Sequence, residues 1–294
     1  MQELPEFEVF TPSTLGEVLT FLSGKGKGSK LLAGGTTLIP GMRQEGVRVS
    51  KVVDLSGLGE LRYIRRAGGT IRVGGLTTID ELATTDLLDG RYNCFKRMKN
   101  LFGSLATRNM ATVGGSLAAV PEGDLAEILL ALDGRVVIRS ASGGRVAGPV
   151  ELELAEDEVI VEAQFDELEG LVATWFNKLD KRRENRRGIV TTTTLLSLSD
   201  DGTVADARIA VSRARGEKVG RATGAESELE GRVPREGAIR RALDTLESEI
   251  APTGDYLGSA RFRKSVTRAM VGEGLANCLK ELGDRQKMGG VPGR

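Results

Sequence analysis

Two glycine-rich runs have the residue types and the spacing that could bind a phosphate group. The first is Leu31-Leu32-Ala33-Gly34-Gly35-Thr36-Thr37-Leu38, where a short apolar run that predicts a strand is followed by a glycine pair and two threonines. The second, Thr112-Val113-Gly114-Gly115-Ser116, lies within the segment 108–124. Because glycine has no side chain, backbone N–H groups in such loops can point at anionic oxygens. The two loops could therefore converge on one pyrophosphate.

A glycine pair alone is weak evidence, because the chain has 39 glycines and most glycine pairs form turns. We interpret the pairs that begin at Gly68, Gly143 and Gly289 as turns. The two runs above differ from these pairs in their flanks, which combine apolar residues with Thr or Ser next to the glycines.

The elements around the loops show alternating helix and strand patterns. Thr14 with Glu17 three residues later predicts the start of a helix, and 91–102 also has a helical pattern. Two strand patterns, 188–199 and 204–212, are joined by a turn and predict a hairpin. The composition changes near 165–170, which we take as a domain boundary.

The composition of the chain limits the classes of function. Its 294 residues suffice for two domains, and 41 basic and 41 acidic residues leave no overall field to attract nucleic acid. The apolar stretches are far shorter than a membrane span, and no signal peptide is evident at the N-terminus. We therefore expect a cytoplasmic protein with no membrane span and no nucleic-acid partner.

Both runs resemble the FAD-binding loops in the flavin subunit of the molybdenum hydroxylase family, the xanthine dehydrogenase and carbon monoxide dehydrogenase group. In that family an Ala-Gly-Gly-Thr loop and a Thr-Ile-Gly-Gly-Asn loop hold the FAD pyrophosphate, and a Pro-x-x-Asp segment follows. Here these segments are Ala33 to Thr36, Thr112 to Ser116 and Pro121 to Asp124. The resemblance covers nearly the whole chain and includes Val73-Gly74-Gly75-Leu76-Thr77-Thr78.

The resemblance implies an α+β fold. It predicts a two-subdomain PCMH-type FAD-binding domain over 1–168, with subdomains of about 1–58 and 59–168. A small α/β C-terminal domain, an antiparallel sheet with helices, is expected over 172–284, and a flexible tail over 285–294.

The resemblance further implies non-covalent FAD, no catalytic side chain and no metal ligand on this chain. The implied cofactor-binding residues are Leu32, Ala33, Gly34, Gly35, Thr36, Thr37, Leu38, Ala111, Thr112, Gly114, Gly115, Ser116, Gly123, Asp124 and Lys178. Two of them have a structural alternative. Asp124 also suits the N-cap of a helix that begins near Leu125, and Lys178 also suits an exposed lysine at a strand end.

The sequence departs from the family pattern in four places. Ser116 replaces a common Asn, Ala111 a Gly, and Glu127 a proline that often follows the Asp, while 185–187 (Asn-Arg-Arg) replaces a more acidic or apolar stretch. Ser116 can still donate and accept a hydrogen bond. We expect Ala111 and Glu127 to change the stiffness of the loop more than its chemistry. The arginine pair either alters what approaches the flavin or forms a solvated face.

In this family the flavin subunit passes electrons and does not bind the organic substrate. The resemblance implies a large molybdopterin subunit and a small [2Fe-2S] subunit as partners, and it allows a dimer of heterotrimers. The chain has no histidine and only two cysteines, so it lacks the four protein ligands of an iron–sulfur cluster and any histidyl-flavin bond. Cys94 and Cys278 are interpreted as reduced core thiols.

Two other interpretations stay open. One is a self-sufficient FAD-dependent oxidoreductase of the same superfamily, which would need its own acid or base. The other is a non-enzymatic assembly subunit that has lost the cofactor. The organic substrate and the final acceptor, whether NAD, quinone, oxygen or a carrier protein, are not determined by this sequence.

Overall fold

The computed structural model of the chain describes residues 4, 6–44, 47–119, 123–180, 188–212 and 219–289. The predicted mixture of helix and sheet is confirmed. No helix in the described ranges is both long enough and apolar enough to cross a membrane.

The first part of the described chain contains β1 (Glu8–Phe10), α1 (Leu15–Ser23), β2 (Lys30–Leu32), α2 (Leu38–Gln44), β3 (Lys51–Asp54), β4 (Ile64–Ala67), β5 (Thr70–Gly74), α3 (Ile79–Thr84), α4 (Asn93–Leu101), α5 (Leu105–Met110), α6 (Val113–Ala119) and α7 (Asp124–Ala131). The second part contains β6 (Arg135–Ser140), β7 (Gly143–Ala147), β8 (Val159–Asp166), β9 (Leu171–Asp180), β10 (Gly188–Leu198), β11 (Val204–Val211), β12 (Gly220–Arg221), α8 (Thr223–Ser227), α9 (Glu236–Glu249) and α10 (Ala260–Gly289).

One compact unit consists of Met1–Leu87, Ser104–Leu125 and Gly134–Asp166. It has a parallel sheet in the order β1-β3-β2 and an antiparallel sheet in the order β4-β5-β8-β6-β7. Parallel neighbours require crossover connections, and α1 and α2 lie in the two connections of the small sheet. The first glycine run is the link between β2 and α2.

The predicted helix after Thr14 is confirmed as α1. The Thr14 hydroxyl accepts the N–H of Glu17 at 3.2 Å. The Glu17 carboxylate accepts the N–H of Ser13 at 2.8 Å, so the two hydrogen bonds do not close the reciprocal pair of a capping box. Val18 and Leu22 on the buried face of α1 pack into one apolar cluster with Val53 of β3.

The second compact unit consists of Leu88–Gly103, Ala126–Asp133 and Glu167–Arg294. Its antiparallel sheet has the order β12-β11-β10-β9, and the predicted hairpin is confirmed as β10 and β11. Along β10, the side chains alternate between two covered faces. Leu196 packs in one cluster with Val271 and Leu275 of α10, whereas Thr191 and Thr193 bind a side chain of α7 on the other face.

Arginines cover the free edge of β9, which is the outer strand of this sheet. Arg97 Nε donates to the carbonyl oxygen of Phe176 at 2.8 Å, and Arg285 donates to the carbonyl oxygen of Val172. These side chains occupy backbone carbonyl oxygens at the edge of the sheet that could otherwise accept hydrogen bonds from another strand. Arg285 lies in the predicted tail 285–294, but α10 continues to Gly289, so the tail is helical that far; 290–294 lie outside the described residues.

Candidate functional site

The first glycine loop connects the end of β2 to the start of α2. Gly35 has φ 67°, in the left-handed region that a residue with a side chain adopts only with strain. At Gly34 the limit is space, because an added Cβ would lie 1.7 Å from the carbonyl oxygen of Met110. The loop therefore requires both glycines, for different physical reasons.

The second loop runs from Ala111 into α6, and backbone hydrogen bonds join it to the segment 75–79. The carbonyl oxygen of Ala111 accepts the N–H of Ile79 at 2.9 Å. Further along, Val113 N–H donates to the Thr77 carbonyl at 2.9 Å and Gly114 N–H to the Gly75 carbonyl at 2.7 Å. An added Cβ at Gly114 would lie 3.0 Å from that Gly75 oxygen, so the close approach needs glycine.

The two loops lie against each other. The Gly34 backbone contacts the Met110 carbonyl group directly in front of the second loop, and a Cβ at Gly115 would lie 3.8 Å from the Cβ of Ala33. Residues that are about 80 positions apart in the sequence thus form one surface within the first unit. The two runs are therefore adjacent in the structure.

The loops differ in the hydrogen bonds that their backbones can offer. Within the described residues, the N–H groups of Gly35, Thr36 and Thr37 have no protein acceptor. In the second loop, Gly115 N–H donates to the Thr112 hydroxyl at 3.1 Å and Ser116 N–H to the Thr112 carbonyl at 2.8 Å. The first loop therefore offers backbone donors, whereas the second offers close approach and the hydroxyl of Ser116.

This surface fits the pyrophosphate of a dinucleotide. Backbone N–H groups without protein acceptors are the donors that phosphate oxygens require, and glycine on both sides removes the side chains that would block access. The half-exposed hydroxyls of Thr36 and Ser116 add neutral donors.

Asp124 is the first residue of α7 and its side chain is buried, with 9% exposure. The helix therefore begins one residue earlier than the N-cap interpretation requires, a difference within the usual variation of helix boundaries. Pro121 and Glu122 lie outside the described residues, so only Gly123 and Asp124 of that family segment have a described position.

Lys178 belongs to the second unit. It lies on β9 opposite Thr191 of β10, and its Cε would be 3.3 Å from a Cβ added at Gly188. The side chain is half-buried, so it differs from a freely exposed strand-end lysine. The departure at 185–187 lies outside the described residues.

Comparison with known families identifies the family of this chain. The family described as the FAD binding domain in molybdopterin dehydrogenase matches residues 5–153, and the C-terminal domain of CO dehydrogenase flavoprotein matches 175–278. The chain belongs to the FAD-binding family of molybdopterin dehydrogenases. The first match contains both glycine loops, so this flavoprotein carries them inside its FAD-binding domain.

Relatives and solved structures agree with this family. This flavoprotein is 24% identical to the glyceraldehyde dehydrogenase medium chain of Sulfolobus acidocaldarius, over 90% of this chain and 96% of that one. It is 26% identical to the carbon monoxide dehydrogenase medium chain of Hydrogenophaga pseudoflava, over 92% and 96%. A solved structure of carbon monoxide dehydrogenase from Hydrogenophaga pseudoflava superposes with a TM-score of 0.87 at 25% identity, covering 95% of this chain and 99% of that one.

Sequence reasoning missed the residues that support the second loop in this flavoprotein. Gly75 and Thr77 accept its N–H groups, and Thr78 pairs with Thr112 in an isolated β-bridge. A signal was present, because Gly74-Gly75-Leu76-Thr77-Thr78 repeats the combination of a glycine pair and two threonines. In the structure this third run supports the second loop from inside the first unit.

Proposed function

We propose that this chain is the FAD-carrying electron-transfer subunit of a multi-subunit molybdenum hydroxylase. It would accept electrons from a [2Fe-2S] subunit and pass them to an external acceptor. The observation that carries the proposal is the direct contact between the two glycine loops, with open N–H donors on one of them, in a chain of this family. Bound FAD supplies the redox chemistry, and the protein supplies binding and orientation.

The binding site is proposed to include residues from both loops, from the start of α7 and from β9. Gly35, Thr36 and Thr37 would donate backbone N–H groups to the pyrophosphate, and Ser116 would contribute its hydroxyl. Asp124 would accept a hydrogen bond from a polar group of FAD, and Lys178 would approach the flavin. The full proposed set is Leu32, Ala33, Gly34, Gly35, Thr36, Thr37, Leu38, Ala111, Thr112, Gly114, Gly115, Ser116, Gly123, Asp124 and Lys178.

The proposed partners are a molybdopterin-binding large subunit and a [2Fe-2S] small subunit, in a cytoplasmic complex. Relatives named medium chain support such partners, as does the relative named 6-hydroxypseudooxynicotine dehydrogenase complex subunit alpha from Paenarthrobacter nicotinovorans. A chain with two cysteines and no histidine cannot supply the four ligands of a cluster itself. We also propose that the domains extend over 1–168 and 172–284.

The proposal is tested by purifying the tagged chain from its native source and measuring the flavin, iron and molybdenum that accompany it. We expect flavin in this chain, with iron–sulfur and molybdenum centres in two associated chains. The complex is then mixed anaerobically with candidate organic substrates, and the flavin absorbance is followed. It should decrease with the complex and stay constant with the isolated chain.

Two results would contradict the proposal in different ways. Turnover of an organic substrate by the isolated chain would identify a self-sufficient flavoenzyme. A chain that assembles with both partners but carries no flavin would be a subunit that has lost the cofactor.

A further inference from the structure

Glu127 is a fully buried carboxyl group on α7, with 0% exposure. It lies in the run Leu125-Ala126-Glu127-Ile128-Leu129, whose other members are apolar and buried. A buried carboxyl group is costly unless it accepts hydrogen bonds, so its partners show what holds it there.

Two hydroxyl groups of β10 bind this carboxyl group. Thr191 Oγ1 donates to Glu127 Oε2 at 2.5 Å, and Thr193 Oγ1 donates to Glu127 Oε1 at 2.9 Å. Both threonines are buried and, being two residues apart on a strand, project from the same face of the sheet. Each carboxyl oxygen therefore has its own donor, and the two bonds fix the orientation of the group as well as its position.

Two hydrogen bonds to adjacent points on one strand restrict the rotation of α7 about its axis. Asp124, three residues before Glu127, lies on the same side of the helix, because residues at i and i+3 are neighbours on a helix surface. The bonds that fix Glu127 therefore also fix the direction in which the Asp124 side chain projects from the first turn of α7.

Thr191 and Thr193 lie on the same face of the β9–β10 pair as Lys178. Thr191 is the direct cross-strand partner of Lys178, and Thr193 is the partner of Phe176. Directly paired residues of antiparallel strands project to the same face. Glu127 thus binds the sheet on the face from which Lys178 projects.

We infer that Glu127, held by Thr191 and Thr193, is a positioning residue that orients Asp124 for binding FAD. The inference rests on the proposed function, since it requires Asp124 to contact FAD.

A double-mutant cycle tests this inference in the full-length chain. The triple variant Glu127→Leu, Thr191→Val, Thr193→Val removes both bonds and replaces these three side chains by apolar groups, which is far less damaging than leaving one polar partner of such a bond buried alone. Asp124→Asn is made in the parent and in the triple variant. The dissociation constant of FAD is measured on the apoprotein, together with its urea midpoint.

We expect Asp124→Asn to weaken FAD binding about tenfold in the parent, because a charged acceptor is replaced by a neutral, weaker one, and about twofold or less in the triple variant. Equal weakening in both backgrounds would mean that Glu127 only stabilises the fold. That result would overturn this inference and leave the proposed function unaffected. No weakening in the parent would remove Asp124 from the site, and with it this part of the proposed function.

Two single substitutions keep the test valid if the triple variant does not fold. Thr193→Val removes only the 2.9 Å bond, whereas Thr193→Ser keeps the hydroxyl and is the matched control. The Val variant should show weaker FAD binding and a smaller effect of Asp124→Asn, and the Ser variant should behave as the parent. Identical FAD affinities of the two variants, both folded, would overturn the inference.

Discussion

Replacing Gly34 by alanine tests whether contact between the two loops is needed for FAD binding. The new Cβ would lie 1.7 Å from the Met110 carbonyl oxygen, 2.5 Å from the Met110 carbonyl carbon and 3.2 Å from the Cα of Ala111. These are backbone atoms, so no side chain can rotate away. Ordinary contact begins at 3.4 Å, which means that one loop must move by more than 1.5 Å, roughly half a hydrogen-bond length.

Such a movement is large compared with the tolerance of a hydrogen bond. A donor–acceptor distance near 2.9 Å that grows by more than about 0.7 Å no longer counts as a hydrogen bond. Bonds to charged groups contribute about 1.5–3 kcal/mol each, so losing two of the donors from Gly35, Thr36 and Thr37 removes about 3–6 kcal/mol. We expect FAD to bind about 10²-fold to 10⁴-fold more weakly.

The assay is titration of the apoprotein with FAD, followed by the change in flavin fluorescence. Gly57→Ala is the matched control, because a Cβ at Gly57 meets no atom within 4 Å and its φ lies outside the left-handed region. The control should bind FAD as the parent does. A folded Gly34→Ala variant with parental FAD affinity would contradict this prediction, since it would show that FAD binding does not require contact between the loops.

Three further predictions concern residues outside the two loops. Burial raises the pKa of the Cys94 thiol to about 12 and that of Cys278 well above its usual value, so neither should react with a thiol reagent before unfolding; reaction in the native state would contradict this. Burial and the hydrogen bond to Glu162 raise the pKa of Tyr63 to about 12. The stability that protonated Tyr63 contributes is therefore complete below about pH 10, the usual tyrosine pKa, and should be lost between about pH 10 and pH 12. The parent should show a late tyrosinate step in an ultraviolet titration, and Tyr63→Phe should lack it. Thr78→Ala should lower the free energy of unfolding by about 1 kcal/mol in urea and Thr78→Ser should not, because the Thr78 hydroxyl caps α3.

The sequence predicted the two loops because the signal for each is local. Apolar residues, a glycine pair and hydroxyl residues occur together within eight residues in each loop. The signals for the helix cap at Thr14 and for the hairpin of β10 and β11 are likewise local in the sequence. Their contact in space was expected from their shared pattern and from the family resemblance.

Helix α6 shows why other features could not be predicted. It contains Gly114 and Gly115, and glycine disfavours a helix by about 1 kcal/mol relative to alanine. Its first N–H groups donate to the Gly75 and Thr77 carbonyls, which lie nearly 40 positions earlier in the chain. Tertiary hydrogen bonds therefore override the local preference, and periodicity cannot reveal them.

Glu127 illustrates the same limit for a side chain. A single carboxyl group within an apolar helical run indicates a buried polar partner. The partners, however, are 64 and 66 positions away in a run of four threonines, any of which could have been the donor. Only the register of β10 identifies Thr191 and Thr193, which share one face of the sheet.

The most direct test of non-covalent FAD binding by this chain is the visible absorption spectrum of the purified chain before and after acid precipitation, with the released flavin identified by chromatography. We expect a two-banded flavin spectrum and FAD in the supernatant in an amount equimolar with the chain, because backbone donors and hydroxyls hold it without a covalent bond. A colourless chain, or flavin that remains attached to the precipitate, would contradict it.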